Sequence, residues 1–191
     1  MTETVFETVT FDEPGPANTD RTLEIAERRA AELDIDTILV ATTRGNTGAQ
    51  AAAMFPGRRV VVVSHSTGFV ERNVQQLTDE NRAAIEAEGA TILTCQHAFG
   101  GVNRAVRKKL GTYLTDEIIA YTLRIFGQGT KVCAEIGLMA ADAGLATVGE
   151  PCVAVAGSGR GADTAMVLVP ANAQEFFDLR VMEILAKPRL P

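Results

Sequence analysis

The sequence predicts an α/β fold, a three-layer α/β/α sandwich built around a mostly parallel sheet. Short apolar runs alternate with segments whose apolar residues recur at helical spacing. The run 60–63 consists of four valines, so it is apolar on both faces, as a parallel strand covered by helices should be. The chain has 191 residues, of which 46% are hydrophobic, and this predicts a single domain over residues 1–191.

The first half of the chain is predicted to begin with a short edge strand within residues 6–11. A helix follows from Asn18 or Thr19, either of which can cap it. Strands are then predicted at 38–41, 59–64 and 90–95, with helices at 49–54 and from Thr78 to Gly89. Thr78 is suited to begin its helix because a capping hydroxyl precedes two acidic residues, and Gly89 is suited to end it.

The second half is predicted to contain two or three helices before the sheet resumes. The clearest helix begins at Thr115, and Gly127-Gln128-Gly129 separates it from a helix that ends at Gly144. Strands are predicted at 152–156 and 165–169, followed by a helical turn near 174–177. Residues 181–186 are predicted to form a last strand, either antiparallel or at the edge.

Composition excludes several classes of function. The net charge of -6 argues against a general nucleic-acid binder, which needs a basic face. Three cysteines lie far apart and the two histidines have no carboxylate at ligand spacing, so no metal site or disulfide framework is predicted. Without a signal peptide or an apolar run of ~20 residues, the protein is expected to be cytoplasmic with no membrane partner. A homo-oligomer is compatible with this sequence.

Four polar turns follow predicted strands on the same edge of the sheet. They read ATTRGNTG, SHSTGF, CQHAFGG and AGSGRGADT, whereas the turns at the opposite edge are plainer. Ligands of open parallel sheets bind outside the carboxyl ends of the strands. The sequence therefore predicts a binding site at this edge.

The first turn joins a strand to a helix and is suited to hold a phosphate group. Glycines let the backbone approach a ligand, hydroxyls and helix-terminal amides bind oxygens, and an arginine adds a bidentate donor. An alternative is that Thr47 caps the helix and the glycines only turn the chain. The turn is not a Walker loop, because GxxxxGK[ST] is absent. The candidate residues are Thr42, Thr43, Arg44, Gly45, Asn46, Thr47 and Gly48.

The glycine-rich turn after residue 156 is the second candidate. It leads into a strand, so it is equally compatible with a simple hairpin or crossover turn. Asp163 could bind a sugar or ribityl hydroxyl, or could bond only to its own loop. The candidate residues are Gly157, Ser158, Gly159, Gly161, Asp163 and Thr164.

Both histidines, His65 and His97, follow predicted strands at the same edge. They could hydrogen-bond a ligand or transfer protons. Gly68 and Phe69 follow the first and Phe99 the second, and these phenylalanines could flank an aromatic ligand or only plug the sheet edge. Glu135 and Asp142 lie on a mostly apolar helix, where contact with a partner or a solvated position is expected instead of catalysis.

Two segments carry a resemblance to a known family. ILVATTRGNTGAQAAAMFPGRRVVVVSH resembles the phosphate-binding segment of the pyruvate kinase C-terminal domain, and GADTAMVLVP resembles that domain's closing segment. A fuller resemblance, including TLRIFGQGTKVCAEIGLMAADAGL and EFFDLRVMEILAKPR, is to small stand-alone proteins of the pyruvate kinase C-terminal-domain-like family. The resemblance implies the α/β/α fold and bound FMN, with the FMN phosphate in the turn 42–48. It does not imply pyruvate kinase activity, because the catalytic barrel is absent.

Three functions are compatible with this sequence. The first is an FMN-binding protein, with flavin-dependent oxidoreductase activity on an unknown substrate as its extension. The second is a non-catalytic sensor or allosteric module for a phosphorylated metabolite, since the matching loop of pyruvate kinase receives a phosphate of a sugar bisphosphate effector. The third is an oligomeric interaction protein whose polar edge is a subunit contact.

Overall fold

The computed structural model describes residues 3–189, and in them one seven-stranded sheet has the order β1-β7-β6-β5-β2-β3-β4. The strands are Val9–Phe11 (β1), Thr37–Thr42 (β2), Arg59–Ser64 (β3), Thr91–Thr94 (β4), Cys152–Ala156 (β5), Thr164–Val169 (β6) and Arg180–Pro188 (β7). The helices are Thr19–Glu32 (α1), Asn46–Met54 (α2), Asp79–Ala87 (α3), Gly101–Leu110 (α4), Thr115–Arg124 (α5) and Gln128–Asp142 (α6). Short 3-10 segments occupy Pro16–Asn18 and Ala173–Asp178.

Most strand pairs are parallel, as predicted. Strand β2 lies between β3 and β5, parallel to both, and β4 extends the sheet in parallel beyond β3. On the other side, β6 pairs antiparallel with β5 and with β7. The last strand is therefore antiparallel, but it is not at the edge, because β1 pairs in parallel with its end at residues 186–188.

Side chains of the central strands alternate between two cores. In β2, Ile38 and Val40 pack with α1, α2 and α3, while Leu39 packs with α6 on the other face. In β3, Val60 and Val62 point to the first core, and Val61 and Val63 point to the second. A strand that is buried on both faces has no polar face, which is why these runs are continuously apolar.

Helices α4 and α5 form an outer layer that does not rest on the sheet. Helix α5 packs against α6 through Ala120, Ala134 and Leu138. Helix α4 has no buried residue. The α6 side of the sandwich is therefore two helices deep, which the alternation of strands and helices did not predict.

The structure corrects some of the predicted helix boundaries and caps and confirms another. Gly127 separates the two helices, but Gln128 and Gly129 belong to α6. A Cβ on Gly129 would lie 2.1 Å from Oγ1 of Thr164, so this glycine lets α6 approach β6 closely. Thr78 caps α3 as predicted, accepting from the Asn81 amide at 3.3 Å. Asn18 precedes α1 without a side-chain capping bond.

Candidate functional site

A cleft of about 850 Å³ lies at the predicted edge of the sheet. In the sheet, β2 has β3 on one side and β5 on the other. The chain passes from β2 to β3 and reaches β5 only later, so the order of the strands reverses at β2. The cleft is lined from the turns after β2, β3, β4 and β5 and from the side of α6. Its volume lies within the ~300–1,000 Å³ range of small-molecule sites.

The turn after β2 presents the N-terminus of α2 to the cleft. Gly45 adopts a φ of 106°, and its amide donates to Oγ1 of Thr42 at 3.1 Å, which closes the turn. Helix α2 begins at Asn46, so Thr47 is inside the helix and is not its cap. The first amides of a helix have no acceptor within it, and the dipole is positive at that end. Asn46 and Thr47 line the cleft, so these amides are placed to bind an anion.

The glycines of this turn serve close packing. A Cβ on Gly45 would lie 2.4 Å from Cβ of Asn81, and one on Gly48 would lie 2.5 Å from Cγ1 of Val62. Neither glycine lines the cleft. They allow the start of α2 to sit against α3 and β3, which fixes the direction of the helix N-terminus.

His65, Phe69 and His97 form an aromatic cluster in the wall of the cleft. The Phe69 ring stacks on His97 with centres 4.7 Å apart and lies 4.2 Å from the His65 ring. Nδ1 of His65 is 2.8 Å from Oε1 of Gln76. Burial lowers the pKa of His65 despite that hydrogen bond, so the imidazole is neutral near pH 7.

Lys131 and Glu135 form a buried ion pair one turn apart on α6. Glu135 also accepts from the Phe99 amide at 3.0 Å. Burial acts to raise the pKa of Glu135, but the His97 and Lys131 side chains outweigh it, so the pKa is lowered and the group is a carboxylate. The pKa of Lys131 is also lowered, because burial and the guanidinium groups of Arg124 and Arg104 outweigh the attraction of Glu135.

Basic side chains outnumber acidic ones in the cleft. The acidic lining groups are Asp20 and Glu135. The basic lining groups are Arg44, Arg104, Arg124, Lys131 and Arg160. This excess is local, since the whole chain carries a charge of -6. A cleft of this kind attracts anions electrostatically.

Comparison with known proteins identifies the family. The model of the family described as "Pyruvate kinase, alpha/beta domain" matches residues 20–168. The chain belongs to this family. Similar solved structures include two of Cryptosporidium parvum pyruvate kinase, at TM-scores of 0.42 and 0.39 and 12% identity, each covering 80% of this chain. A third, of that enzyme in complex with ADP, has a TM-score of 0.38 and 12% identity and covers 87% of this chain.

This pyruvate kinase alpha/beta domain corresponds to a small part of those enzymes. The three matches cover 23%, 22% and 23% of the pyruvate kinase chains. The family assignment confirms the resemblance inferred from the sequence and the α/β fold.

The fold of this pyruvate kinase alpha/beta domain brings most of the predicted site residues together. From the first turn, Thr42, Thr43, Arg44, Asn46 and Thr47 line the cleft. They are joined by the following residues from the other turns: His65, Phe69, His97, Gly157, Gly159 and Gly161. Gly68 and Ser158 lie in the same loops but do not line the cleft.

Asp163 and Thr164 were predicted as ligand-binding residues, but neither of them lines the cleft. The Asp163 carboxylate is fully buried and accepts from the amides of Gly15, at 3.0 Å, and Ser158, at 3.1 Å. Thr164 donates to its other oxygen at 2.8 Å. Both oxygens of the Asp163 carboxylate are therefore engaged within the protein, and they brace its own loop and the turn at Gly15. The loop itself is a hairpin, because β5 and β6 are antiparallel.

Phe99 and Glu135 also differ from expectation. Phe99 packs edge-on against Phe176, with ring centres 5.7 Å apart, and does not line the cleft. Glu135 was expected to contact a partner or solvent, but it is 3% exposed and lines the cleft. The signal that could have identified it is the pair Lys131 and Glu135, at i and i+4, on an otherwise apolar helix. Asp142 lies outside the cleft and accepts from Asn172 at 3.0 Å.

Two kinds of feature are absent from the part of the chain between residue 3 and residue 189. Among these residues, no three His, Cys, Asp or Glu side chains are grouped so that they could hold a metal ion. No helix in that range combines the length and apolar character needed to span a bilayer. The three cysteines are free thiols, and Cys95 lies just past β4 instead of within it.

Proposed function

We propose that this domain binds FMN, or a similar phosphorylated ligand, in the cleft at the carboxyl edge of the sheet. The phosphate is held by the turn 42–48. The observation that carries the proposal is that a helix N-terminus and five basic side chains border one cleft in an acidic chain. Backbone amides and arginine guanidinium groups are the donors that proteins use for phosphate oxygens.

The aromatic cluster supports the flavin form of the proposal. An isoalloxazine ring needs apolar ring surface with polar groups at its edge, and the cluster of His65, Phe69 and His97 supplies aromatic rings together with imidazole nitrogens. The family resemblance described above supplies the link to FMN specifically. When bound, FMN supplies hydride and electron transfer, which makes a flavin-dependent oxidoreductase of unknown substrate the finer proposal. The neutral His65 imidazole is suited to accept a proton there.

A sensor or allosteric module for a sugar bisphosphate is the second candidate. The observation in its favour is that the cations of the cleft come from two separate places. Arg44 belongs to the phosphate turn, whereas Arg104, Arg124 and Lys131 belong to helices α4, α5 and α6. A ligand with two phosphate groups would engage both sets. This candidate needs no redox chemistry.

The deciding experiment begins with the visible spectrum of the purified protein, before and after denaturation. A flavin band that is released on denaturation supports the flavoprotein. A colourless protein is titrated with FMN, riboflavin and a sugar bisphosphate, and its melting temperature is followed, since a ligand at a hundred times Kd adds ~2.7 kcal/mol of stability. FMN should stabilise more than riboflavin, because riboflavin lacks the phosphate.

A pair of variants tests the assigned turn. Thr47→Val removes a hydroxyl of the cleft while keeping the side-chain shape, and it should weaken FMN binding about tenfold. Thr67→Val makes the same change at an exposed position outside the cleft and should leave binding unchanged. Equal affinity of both variants for FMN would remove Thr47 from the phosphate site. No stabilisation by any of the three ligands would refute the proposal.

A further inference from the structure

Phe69 is placed unlike the other phenylalanines of this chain. Four of the others pack in an apolar cluster: Phe11, Phe55, Phe99 and Phe176. The remaining three are exposed: Phe6, Phe126 and Phe177. Phe69 is half-buried, yet it belongs to none of the three apolar clusters that the described residues form. Its ring is therefore held by something other than an apolar core.

The groups that contact the Phe69 ring are flat and polar. The imidazoles of His65 and His97 lie 4.2 and 4.7 Å from its centre, and the planes of Phe69 and His97 differ by 18°. The guanidinium carbon of Arg104 lies over the ring at 4.7 Å. Imidazoles and a guanidinium group can stack in this way on any aromatic ring, whichever molecule carries it. These groups therefore form a recognition surface for a flat ring, and a side chain of the protein occupies it.

The loop that carries Phe69 is attached to the domain through that ring. Residues 66–74, here named the Phe69 loop, are closed by a hydrogen bond from the Gly68 amide to the Val74 carbonyl at 2.9 Å. Between residues 67 and 74 every residue except Phe69 is exposed, including Val70 at 71%. Within the described chain, the backbone hydrogen bonds of residues 67–74 stay inside the loop. A compact loop with a single anchoring side chain can move as a unit once that side chain is released.

We propose that the place filled by the Phe69 ring is a subsite for the flat aromatic ring of a ligand, and that Phe69 is a displaceable plug in it. The Phe69 loop swings away, and the ligand ring then stacks against His97 and Arg104. This inference rests on the proposed function and narrows it to ligands that carry both an aromatic ring and an anionic group. FMN fits that description, whereas a sugar bisphosphate has no aromatic ring.

A heteroaromatic ring makes fuller use of this subsite than phenylalanine does. Its edge carries hydrogen-bond donors and acceptors, whereas the edge of a phenyl ring carries none. His65, which contacts Phe69, is hydrogen-bonded to Gln76 at 2.8 Å, and both side chains line the cleft. A ligand ring can bond to these polar groups as well as stack. The exchange replaces the contacts of Phe69 and adds hydrogen bonds, so the ligand shifts the equilibrium toward the displaced loop.

A plug and a fixed wall predict opposite effects when the Phe69 ring is removed. If Phe69 is a plug, Phe69→Ala should tighten riboflavin binding about tenfold, the gain expected when the competent form rises from about a tenth to nearly all of the molecules. If the ligand stacks on Phe69 as on a wall, the same substitution weakens binding, and the proposal is overturned. Flavin fluorescence measures the affinities, and circular dichroism checks the fold.

Phe177→Ala is the matched control for this comparison. Phe177 is 84% exposed and lies outside the cleft, so its removal should leave riboflavin binding unchanged. A gain in affinity as large as that of Phe69→Ala would show that the effect does not come from the subsite and would overturn the proposal.

Two probes separate this inference from the phosphate site. Riboflavin carries the ring without a phosphate, and inorganic phosphate carries no ring, so Phe69→Ala should leave the binding of inorganic phosphate unchanged. Tighter riboflavin binding by Phe69→Ala, with no binding of inorganic phosphate, would support the ring subsite and remove the phosphate turn. Binding of inorganic phosphate, with riboflavin bound by neither the unmodified chain nor Phe69→Ala, would overturn the ring subsite and leave the phosphate turn in place.

A second measurement uses the unmodified chain and does not depend on the folding of Phe69→Ala. Arg72 is exposed in the Phe69 loop, so trypsin can cut after it and divide the chain into residues 1–72 and 73–191. Saturating riboflavin should speed this cleavage several-fold, because a released loop enters the protease more readily. A ligand that stacks on a fixed Phe69 would slow the cleavage instead. An unchanged or slower rate of cleavage at Arg72 would overturn the plug.

Discussion

Oε2 of Glu135 lies 3.8 Å from Nδ1 of His97, and the two side chains are 4% and 13% exposed. The same carboxylate pairs with Lys131, and Arg104 and Arg124 are close enough to lower the pKa of that lysine. One carboxylate therefore balances several cations at the inner end of the cleft. This arrangement leaves positive charge for a ligand while keeping His97 and Lys131 in fixed positions.

The buried pair predicts a specific pattern of stability changes. Glu135→Gln removes the charge that compensates Lys131 and should destabilise the domain by about 3–5 kcal/mol, because it leaves a buried cation unpaired. Lys131→Met combined with Glu135→Gln should recover most of that loss, since no isolated charge remains. Urea denaturation of the single and double variants measures both values. A double variant as unstable as Glu135→Gln alone would show that the ion pair is not the cause.

The pKa of His65 predicts how stability changes with pH. Burial lowers this pKa in the folded state below its ordinary value of 6.5, so the unfolded chain binds the proton more readily. The contribution of His65 to stability is therefore present above pH 6.5 and is lost as the pH falls below that value. His65→Gln should flatten this part of the curve.

Proton NMR can check the His65 prediction directly. The chain has only two histidines, so the imidazole resonance that is missing from His65→Gln belongs to His65. That resonance should titrate below 6.5 in the folded protein. A midpoint at or above 6.5 would contradict the prediction, and so would an unchanged stability curve in the variant.

Strand positions could be predicted because local pattern decides them. The valine run of β3 and the strand at 152–156 match the observed bounds, since a strand covered on both faces must be continuously apolar. The position of the cleft could be predicted for a related reason. Carboxyl ends of parallel strands meet at one edge, so polar turns that are distant in sequence converge there.

The basic wall of the cleft could not be predicted in this way. Arg104 and Arg124 lie on helices whose sequence shows amphipathicity but not which neighbour they pack against. Their approach to the cleft depends on α5 packing over α6, a tertiary contact with no local signal. Glu135 was missed for a similar reason. Glu135 is buried because the tertiary fold encloses it at one end of the cleft, and the sequence around it gives no sign of that enclosure.

The contact between α6 and β6 predicts unequal effects of two similar substitutions. Gly129→Ala would place a Cβ 2.1 Å from Oγ1 and 2.4 Å from Cβ of Thr164, so α6 must shift, at a cost of about 1–3 kcal/mol. Gly137→Ala, in the same helix, meets the ends of two flexible side chains, Leu168 at 3.2 Å and Leu179 at 3.8 Å. Its small clash is offset by the ~1 kcal/mol gain in helix propensity. Thermal unfolding should therefore rank Gly129→Ala clearly below Gly137→Ala, and equal stabilities would contradict the contact.

The position of Arg104 predicts a selective loss of anion binding. Its guanidinium carbon lies 4.7 Å from the centre of the Phe69 ring, so it joins the aromatic cluster to the basic wall of the cleft. Arg104→Gln should weaken FMN binding about tenfold, or ~1.4 kcal/mol, because a charge-assisted contact is lost. Lys109→Gln removes the same charge from an exposed position on α4 and should change the affinity little. Flavin fluorescence titrations at two salt concentrations measure both. An equal effect of the two variants would mean that overall charge, and not the position of Arg104, governs binding.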